Sequence, residues 1–415
     1  MKKGLAGSIV EDCLLVSVII IAIFGLCGVL KPCSSMAADW RITPSITEEG
    51  NYDSNYFRST VNPTSVWGLT ITPAVEVEAV TERSKLSLSY KMPYYMYFGT
   101  RGATPGSGAI NLSSQDYLGQ DLSLLAMTRV SNRLTTGMTE TFTMTREPAF
   151  SDTLSQIVTR NEYWVNRINP FVTYDIGEKG EVKLAYRNEV LTFMDGTAST
   201  RNDSSENRGI MTMTYNFNST NHLDLDNEFW RREYPFNPAS PMSAYDSYQI
   251  QLIYRHDLSS WLQSRVGGGY QWRYFDQTSG LAPNMATPTY LVGLTGNNDR
   301  TKVDLSFEHN MVDFTVADAY FTAYRVNGFV QRLFFDNVIR VYGGGYYQLS
   351  DYTTSTLETN EWSLRGGVGY SFWKKRMELS VEYNYTQRLS NLPGFGYNDN
   401  VIYMRLTSKW DFPKQ

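Results

Sequence analysis

Val401-Ile-Tyr-Met-Arg-Leu-Thr-Ser-Lys-Trp-Asp-Phe412 is the stretch that decides how the rest of the chain is read. Side chains of a strand point alternately to its two faces. Ile402, Met404, Leu406, Trp410 and Phe412 therefore share one face, broken only by Ser408. Tyr403, Arg405, Thr407, Lys409 and Asp411 share the other. One wall is oily and the other is wet. Near the C-terminus of an exported chain, such an aromatic-ended strand predicts a transmembrane β-barrel of the bacterial outer membrane.

The N-terminal end predicts export. Lys2 and Lys3 precede an apolar run from Cys13 to Leu30, Lys31-Pro32 ends it, and Ser35-Met36-Ala37 offers small residues before a cut at Ala38. Residues 1–37 are read as a signal peptide and 38–415 as the barrel. The alternative is an uncleaved anchor, because the run approaches spanning length and Glu11 and Asp12 precede it. Cys13, Cys27 and Cys33 all lie in this leader. The mature chain would then hold no disulfide, thiolate metal site or Cys nucleophile, which suits an oxidising periplasm.

The full chain carries 37 basic and 42 acidic residues. Without Lys2, Lys3, Lys31, Glu11 and Asp12 the balance is 34 to 40, a net charge of −6. Weak acidity gives no reason to expect nucleic acid as a partner. Mean hydropathy is −0.35 and no second apolar run reaches spanning length, which excludes a helical membrane protein. Aromatics make up 14% of the chain, 29 of them Tyr, as interfacial girdles require.

Short turn segments alternate with long polar links. The turns are Thr81 to Ser84, Ser131 to Arg133, Gly177 to Gly180, Asn218 to Asn221, Asp257 to Ser260, Gly296 to Asp299, Asp336-Asn337 and Trp373 to Arg376. The links are Gly99 to Ser114, Glu147 to Arg160, Asp195 to Glu206, Pro235 to Ser243, Asp276 to Pro288, Ser350 to Thr359 and Ser390 to Asn400. Turns settle about forty residues apart, one two-strand hairpin plus one outer loop each. The fold class is an all-β, antiparallel, up-and-down barrel of about eighteen strands, or roughly sixteen if Trp40 to Tyr52 stays outside the sheet. Periplasmic turns would be short and extracellular loops long. The last strand would pair back to the Trp40 strand and leave no edge in lipid.

Alternation recurs along the chain. Val303, Leu305 and Phe307 oppose Lys302, Asp304, Ser306 and Glu308. Leu379, Val381, Tyr383 and Tyr385 oppose Glu378, Ser380, Glu382 and Asn384. Tyr248, Ile250, Leu252 and Tyr254 oppose Gln249, Gln251 and Arg255, with Ile253 the exception. A soluble sandwich shows the same period with oil inside. Export, turn-and-loop asymmetry and strand length favour the membrane reading. Three glycine clusters, at Gly267 to Gly269, Gly343 to Gly345 and Gly366 to Gly369, read as places where the wall bends, the alternative being close approach of a ligand.

Candidate pore-lining cations are Arg255, Arg265, Arg273, Arg325, Arg365 and Arg405. Candidate inward acids are Glu76, Glu78, Glu140, Asp224, Asp226, Glu228, Asp304, Glu308 and Glu382, and inward aromatics are Trp230, Tyr347 and Tyr403. Basic and acidic arcs across a pore bias which solutes pass, here towards anions or acidic sugars. The plain alternative is a mutually paired interior that only solvates the lumen. His222, His256 and His309 show no metal-ligand spacing, and His256-Asp257 beside Ser259-Ser260 reads as a turn rather than a catalytic set. No catalytic residue, metal ligand or cofactor is nominated.

Trp40-Arg-Ile-Thr-Pro-Ser-Ile46, Glu48-Glu-Gly-Asn-Tyr-Asp-Ser-Asn55 and Leu69-Thr-Ile-Thr-Pro-Ala-Val75 resemble the start of outer-membrane barrels associated with exosortase and exopolysaccharide loci. Ser54 departs from that pattern by separating Asp53 from Asn55. The resemblance covers about the first fifty mature residues and implies a porin-like barrel linked to envelope polysaccharide. It transfers no functional residue. The expected function is a channel for small solutes or polysaccharide-related molecules. The alternatives are a sheath or scaffold for a secreted polymer or an electron-transfer partner, and a barrel hydrolase. Expected partners are outer-membrane lipid and lipopolysaccharide, the barrel assembly machinery through Val401–Phe412, and a polysaccharide.

Overall fold

The computed structural model describes residues 39–98, 100–101, 110–111, 116–146, 162–194, 203–234, 244–276, 284–313, 320–352 and 356–410. The proposed leader, residues 411–415 and the middles of most long links lie outside them.

These residues form twenty-two strands and no helix. They are β1 (Asp39–Asp53), β2 (Val66–Val80), β3 (Ser84–Lys91), β4 (Tyr94–Phe98), β5 (Thr100–Arg101), β6 (Ile110–Asn111), β7 (Tyr117–Leu118), β8 (Gln120–Arg129), β9 (Leu134–Thr145), β10 (Tyr163–Ile176) and β11 (Gly180–Phe193). They continue as β12 (Ser204–Asn216), β13 (Asn221–Glu233), β14 (Tyr245–Ser259), β15 (Leu262–Phe275), β16 (Met285–Asn297), β17 (Thr301–Asp313), β18 (Tyr320–Phe334), β19 (Ile339–Tyr352), β20 (Glu358–Phe372), β21 (Met377–Ser390) and β22 (Tyr397–Lys409). β3 and β4 are one stave, interrupted at Pro93, which has no N–H to give the ladder. β7 and β8 make the next stave, and β5–β6 is a separate small ribbon. The result is a closed antiparallel barrel of 18 staves.

Closure occurs where the sequence places it. β1 pairs with β2 along its whole length and with β22 from Ser45↔Lys409 to Asp53↔Val401. A clasp locks the outer end of this seam. Ser54 donates its N–H to the Asn400 carbonyl (2.9 Å) and its Oγ accepts the Asn400 N–H (2.8 Å). The Asn55 N–H reaches Asp53 Oδ1 (2.9 Å) and Asp399 Oδ1 (3.2 Å), while its amide donates to the Ser59 and Asn398 carbonyls. Ser54, the departure from the resembled motif, is thus part of the clasp. Asn55→Ala strands several buried polar groups and is expected to cost about 1–3 kcal/mol, read as a lower denaturant midpoint of the folded barrel.

Register sorts the wall into two faces. Ile402, Met404 and Leu406 lie outside, and Tyr403, Arg405 and Thr407 lie inside with Glu49 and Thr47 of β1. Two expectations fail. Glu140 pairs in register with Leu124 and Ile168, so it sits outside with Met138 and Phe142. Tyr347 pairs with Val326 and Trp362 and also faces out, whereas its neighbour Tyr346 faces in. Some boundaries also shift. β14 runs to Ser259 with its turn at Ser260-Trp261, β16 runs to Asn297, and Glu206 belongs to β12 rather than to a link. Staves extend above the lipid-facing band, where polarity no longer signals a loop.

Candidate functional site: the charged interior

Most interior charges are held by neighbours on adjacent staves. Arg405 bonds Glu49 across the seam and Glu382 at 3.2 Å. Arg255 clasps Asp224, its Nη2 2.7 Å from Oδ1, and Thr214 donates to the same carboxylate at 2.7 Å. Arg208 bridges Glu206 (2.9 Å) and Glu228 (2.6 Å) and lies 4.1 Å over the Trp230 ring. Glu206, 2% exposed, also binds Arg187 (2.8 Å) and Arg232 (3.0 Å), and Arg232 in turn reaches Glu189 (3.0 Å). Glu78 is a loose partner of Arg41 at 3.9 Å, and Glu76 lies on the same inner face two residues earlier. Asp226 sits between Asp224 and Glu228 on the inner face of β13.

A different sector spans β15 to β20. Arg265 lies over Gly293, so closely that a Cβ there would meet its Nε at 2.5 Å. Arg365 packs its guanidinium 5.3 Å from the Phe329 ring centroid. Neither makes an ion pair among the described residues. Arg325 donates to Gln348 Oε1 at 2.7 Å, and its register partner is Glu308. Arg273, 1% exposed, sits 4.2 Å over Tyr245 and 5.5 Å from Tyr320. On this inner face Arg265, Arg273, Lys302, Arg325, Arg340 and Arg365 outnumber Asp304, Glu308 and Glu361. Sequence reasoning named most of these positions but not the Glu206 cluster, nor the Glu361–Arg388 pair at 2.8 Å. Only the register brings those partners together.

The outer mouth is narrowed by its own wall. β17 pairs with β16 only as far as Tyr290↔His309, yet stays paired with β18 to Asp313↔Tyr320. The hairpin end leans inward, and the Met311 N–H donates to Gln271 Oε1 on β15 at 3.3 Å. Tyr320 packs against Tyr245 and Phe275, with centroids 5.8 and 4.4 Å away. Where the staves part, His309 Nδ1–H donates to the freed Pro288 carbonyl at 2.7 Å, and Pro288 leaves no N–H unpaired. Tyr320→Ala should raise single-channel conductance. An unchanged value would mean that this tip does not limit passage.

The histidines are held by wall side chains, His222 by Asn216 (2.6 Å) and by Asp257 (3.4 Å). His256 bonds Asn221 at 2.9 Å while Asp257 engages Gln263 at 2.7 Å, so no bond links the two. No metal-binding cluster of His, Cys, Asp and Glu occurs among the described residues.

A closed wall with an oily outside and a charged inside is a bacterial outer-membrane barrel of the porin kind. Residues 297–410 match the family model described as "Putative beta-barrel porin 2". The fold is similar to Acinetobacter baumannii OccAB2, with a TM-score of 0.50 at 9% identity, covering 90% of this chain and 98% of that one. It is also similar to Pseudomonas aeruginosa OccK2 (OpdF), with a TM-score of 0.50 at 12% identity, covering 89% and 98%. No curated protein matches the chain. The chain thus has the fold of a porin-like barrel of the bacterial outer membrane, and its residues 297–410 are similar to that porin family.

Proposed function

We propose that the barrel passes small anionic solutes, sugar carboxylates among them. The observation that carries this reading is the arginine sector from β15 to β20, where Arg265 and Arg365 have no carboxylate partner among the described residues. A one-sided excess of fixed charge in a low-dielectric wall raises the local concentration of the opposite ion. Bilayer reversal potentials across a salt gradient test it. Anion selectivity is expected for the native barrel, with a loss of most of that bias in Arg265→Gln/Arg365→Gln. Clear cation selectivity of the native protein would sink the reading.

OccK2 was crystallised in complex with glucuronate, which makes that sugar acid a natural first probe. The N-terminal motif adds a link to envelope polysaccharide to the proposal. An anionic oligosaccharide should then interrupt the current in resolvable events, and a sheath would carry little current by itself.

A further inference from the structure

We infer that the outer face of β16 to β20 binds an anionic phospholipid of the periplasmic leaflet. A depression of about 1200 Å3 is sunk into this part of the wall, and its lining is overwhelmingly apolar. That exceeds the ~300–1,000 Å3 common for small-molecule pockets. Gly328, Gly343 and Gly345 form its floor, and Phe307, Tyr347 and Trp362 stand around it.

Packing does not force all of this floor. A Cβ on Gly328 would come no nearer than 3.4 Å to Leu305 Cδ2, and one on Gly343 no nearer than 3.7 Å to the Arg365 carbonyl oxygen. A Cβ on Gly366, the register partner of Gly343, would come no nearer than 3.8 Å to the Tyr342 carbonyl oxygen. Each strand glycine forgoes about 0.5–1 kcal/mol relative to alanine. At these positions the wall gains nothing for it, whereas a guest chain gains a trough.

Below the trough the charge is right for a phosphate. Arg332 lies on the same outer face as Gly328, four residues and about 13 Å nearer the periplasm. It is exposed, and its guanidinium lies 5.6 Å from the Phe334 ring centroid. The adjoining turns add Arg300, Lys374, Lys375 and Arg376 against Asp299 and Asp336, and Asp336 is already engaged by Arg300 at 3.7 Å. Phe335 and Trp373, 76% and 67% exposed, are the aromatics expected at headgroup depth. Acyl chains lie along the glycine floor, and the phosphate sits on Arg332 and the Lys374–Arg376 turn. Lipopolysaccharide occupies the other leaflet and would meet none of these cations.

The full-length protein in nanodiscs of equal phosphatidylglycerol and phosphatidylethanolamine, released into a native mass spectrometer, tests this. Retained phosphatidylglycerol is expected on the native barrel and should fall at least tenfold in Gly343→Leu/Gly366→Leu. Arg332→Gln, whose side chain is outside the packed wall, should keep lipid but lose the preference for phosphatidylglycerol. That variant decides the matter even if the leucine variant does not fold. Absence of retained lipid, retention indifferent to both changes, bound lipopolysaccharide, or a second copy of the chain on this face would each overturn the inference.

Discussion

Glu206→Ala should destabilise the barrel by about 3–5 kcal/mol, the range for leaving buried charge uncompensated. Glu206 is buried among Arg187, Arg208 and Arg232. After its removal Arg208 still has Glu228 and Arg232 still has Glu189. Arg187 is left with no carboxylate partner among the described residues, and the three guanidinium groups repel one another across adjacent staves. The folded fraction after graded urea treatment, read from the heat-modifiable band on a gel, measures the loss. Glu178→Ala in the exposed turn between β10 and β11 is the control and should move the midpoint by under about 0.5 kcal/mol. Equal midpoints for the two variants would show that water, not Glu206, solvates the arginines. In a bilayer, losing this carboxylate should also shift reversal potential towards greater anion preference, because the cations remain.

This cluster marks where the sequence stops being legible. Strand number, the closing seam and the face of the last strand all follow from short-range alternation and turn chemistry, which one chain carries along its own length. Which arginine meets which carboxylate depends on register between staves, and Arg232 reaches Glu189 from two staves away. The two misplaced faces have separate causes. In β9 the alternation puts Glu140 with Met138 and Phe142, and a carboxylate on that outer face runs against the charge-inside pattern of the other strands. Around Tyr347 parity was blurred, because Gly343 to Gly345 carry no side chain to reveal which face each occupies. Tyr346 is the inward residue, and its hydroxyl bonds Glu361. The inward lean of β17–β18 left no mark beyond Pro288 and His309, neither of which reads as a parting of staves without the pairing itself.

The glycine clusters look alike in sequence, and the wall divides them in two. Gly267, Gly268 and Gly269 are consecutive in β15, yet a Cβ on Gly268 would lie 3.9 Å from the nearest atom, while one on Gly269 would lie 2.0 Å from the Ile250 carbonyl oxygen. The Gln251 Cα would be 2.7 Å away. These are backbone atoms of the paired strand β14, so no rotamer change relieves the contact, and the ladder itself must open. Gly269→Ala should therefore cost at least about 1–3 kcal/mol and sharply reduce the folded band. Gly268→Ala should be neutral or add about 0.5–1 kcal/mol, since alanine restricts the unfolded chain and meets only an ordinary contact here. The same contrast recurs in β19, where Gly343 has room and a Cβ on Gly345 would sit 2.2 Å from the Ser363 carbonyl oxygen. Four alanine variants, Gly268, Gly269, Gly343 and Gly345, separate the explanations by their order of stability. Similar losses at all four would mean that the strands need glycine for curvature. Losses confined to Gly269 and Gly345 would mean that close backbone approach demands it there, while Gly343 leaves the outer trough open.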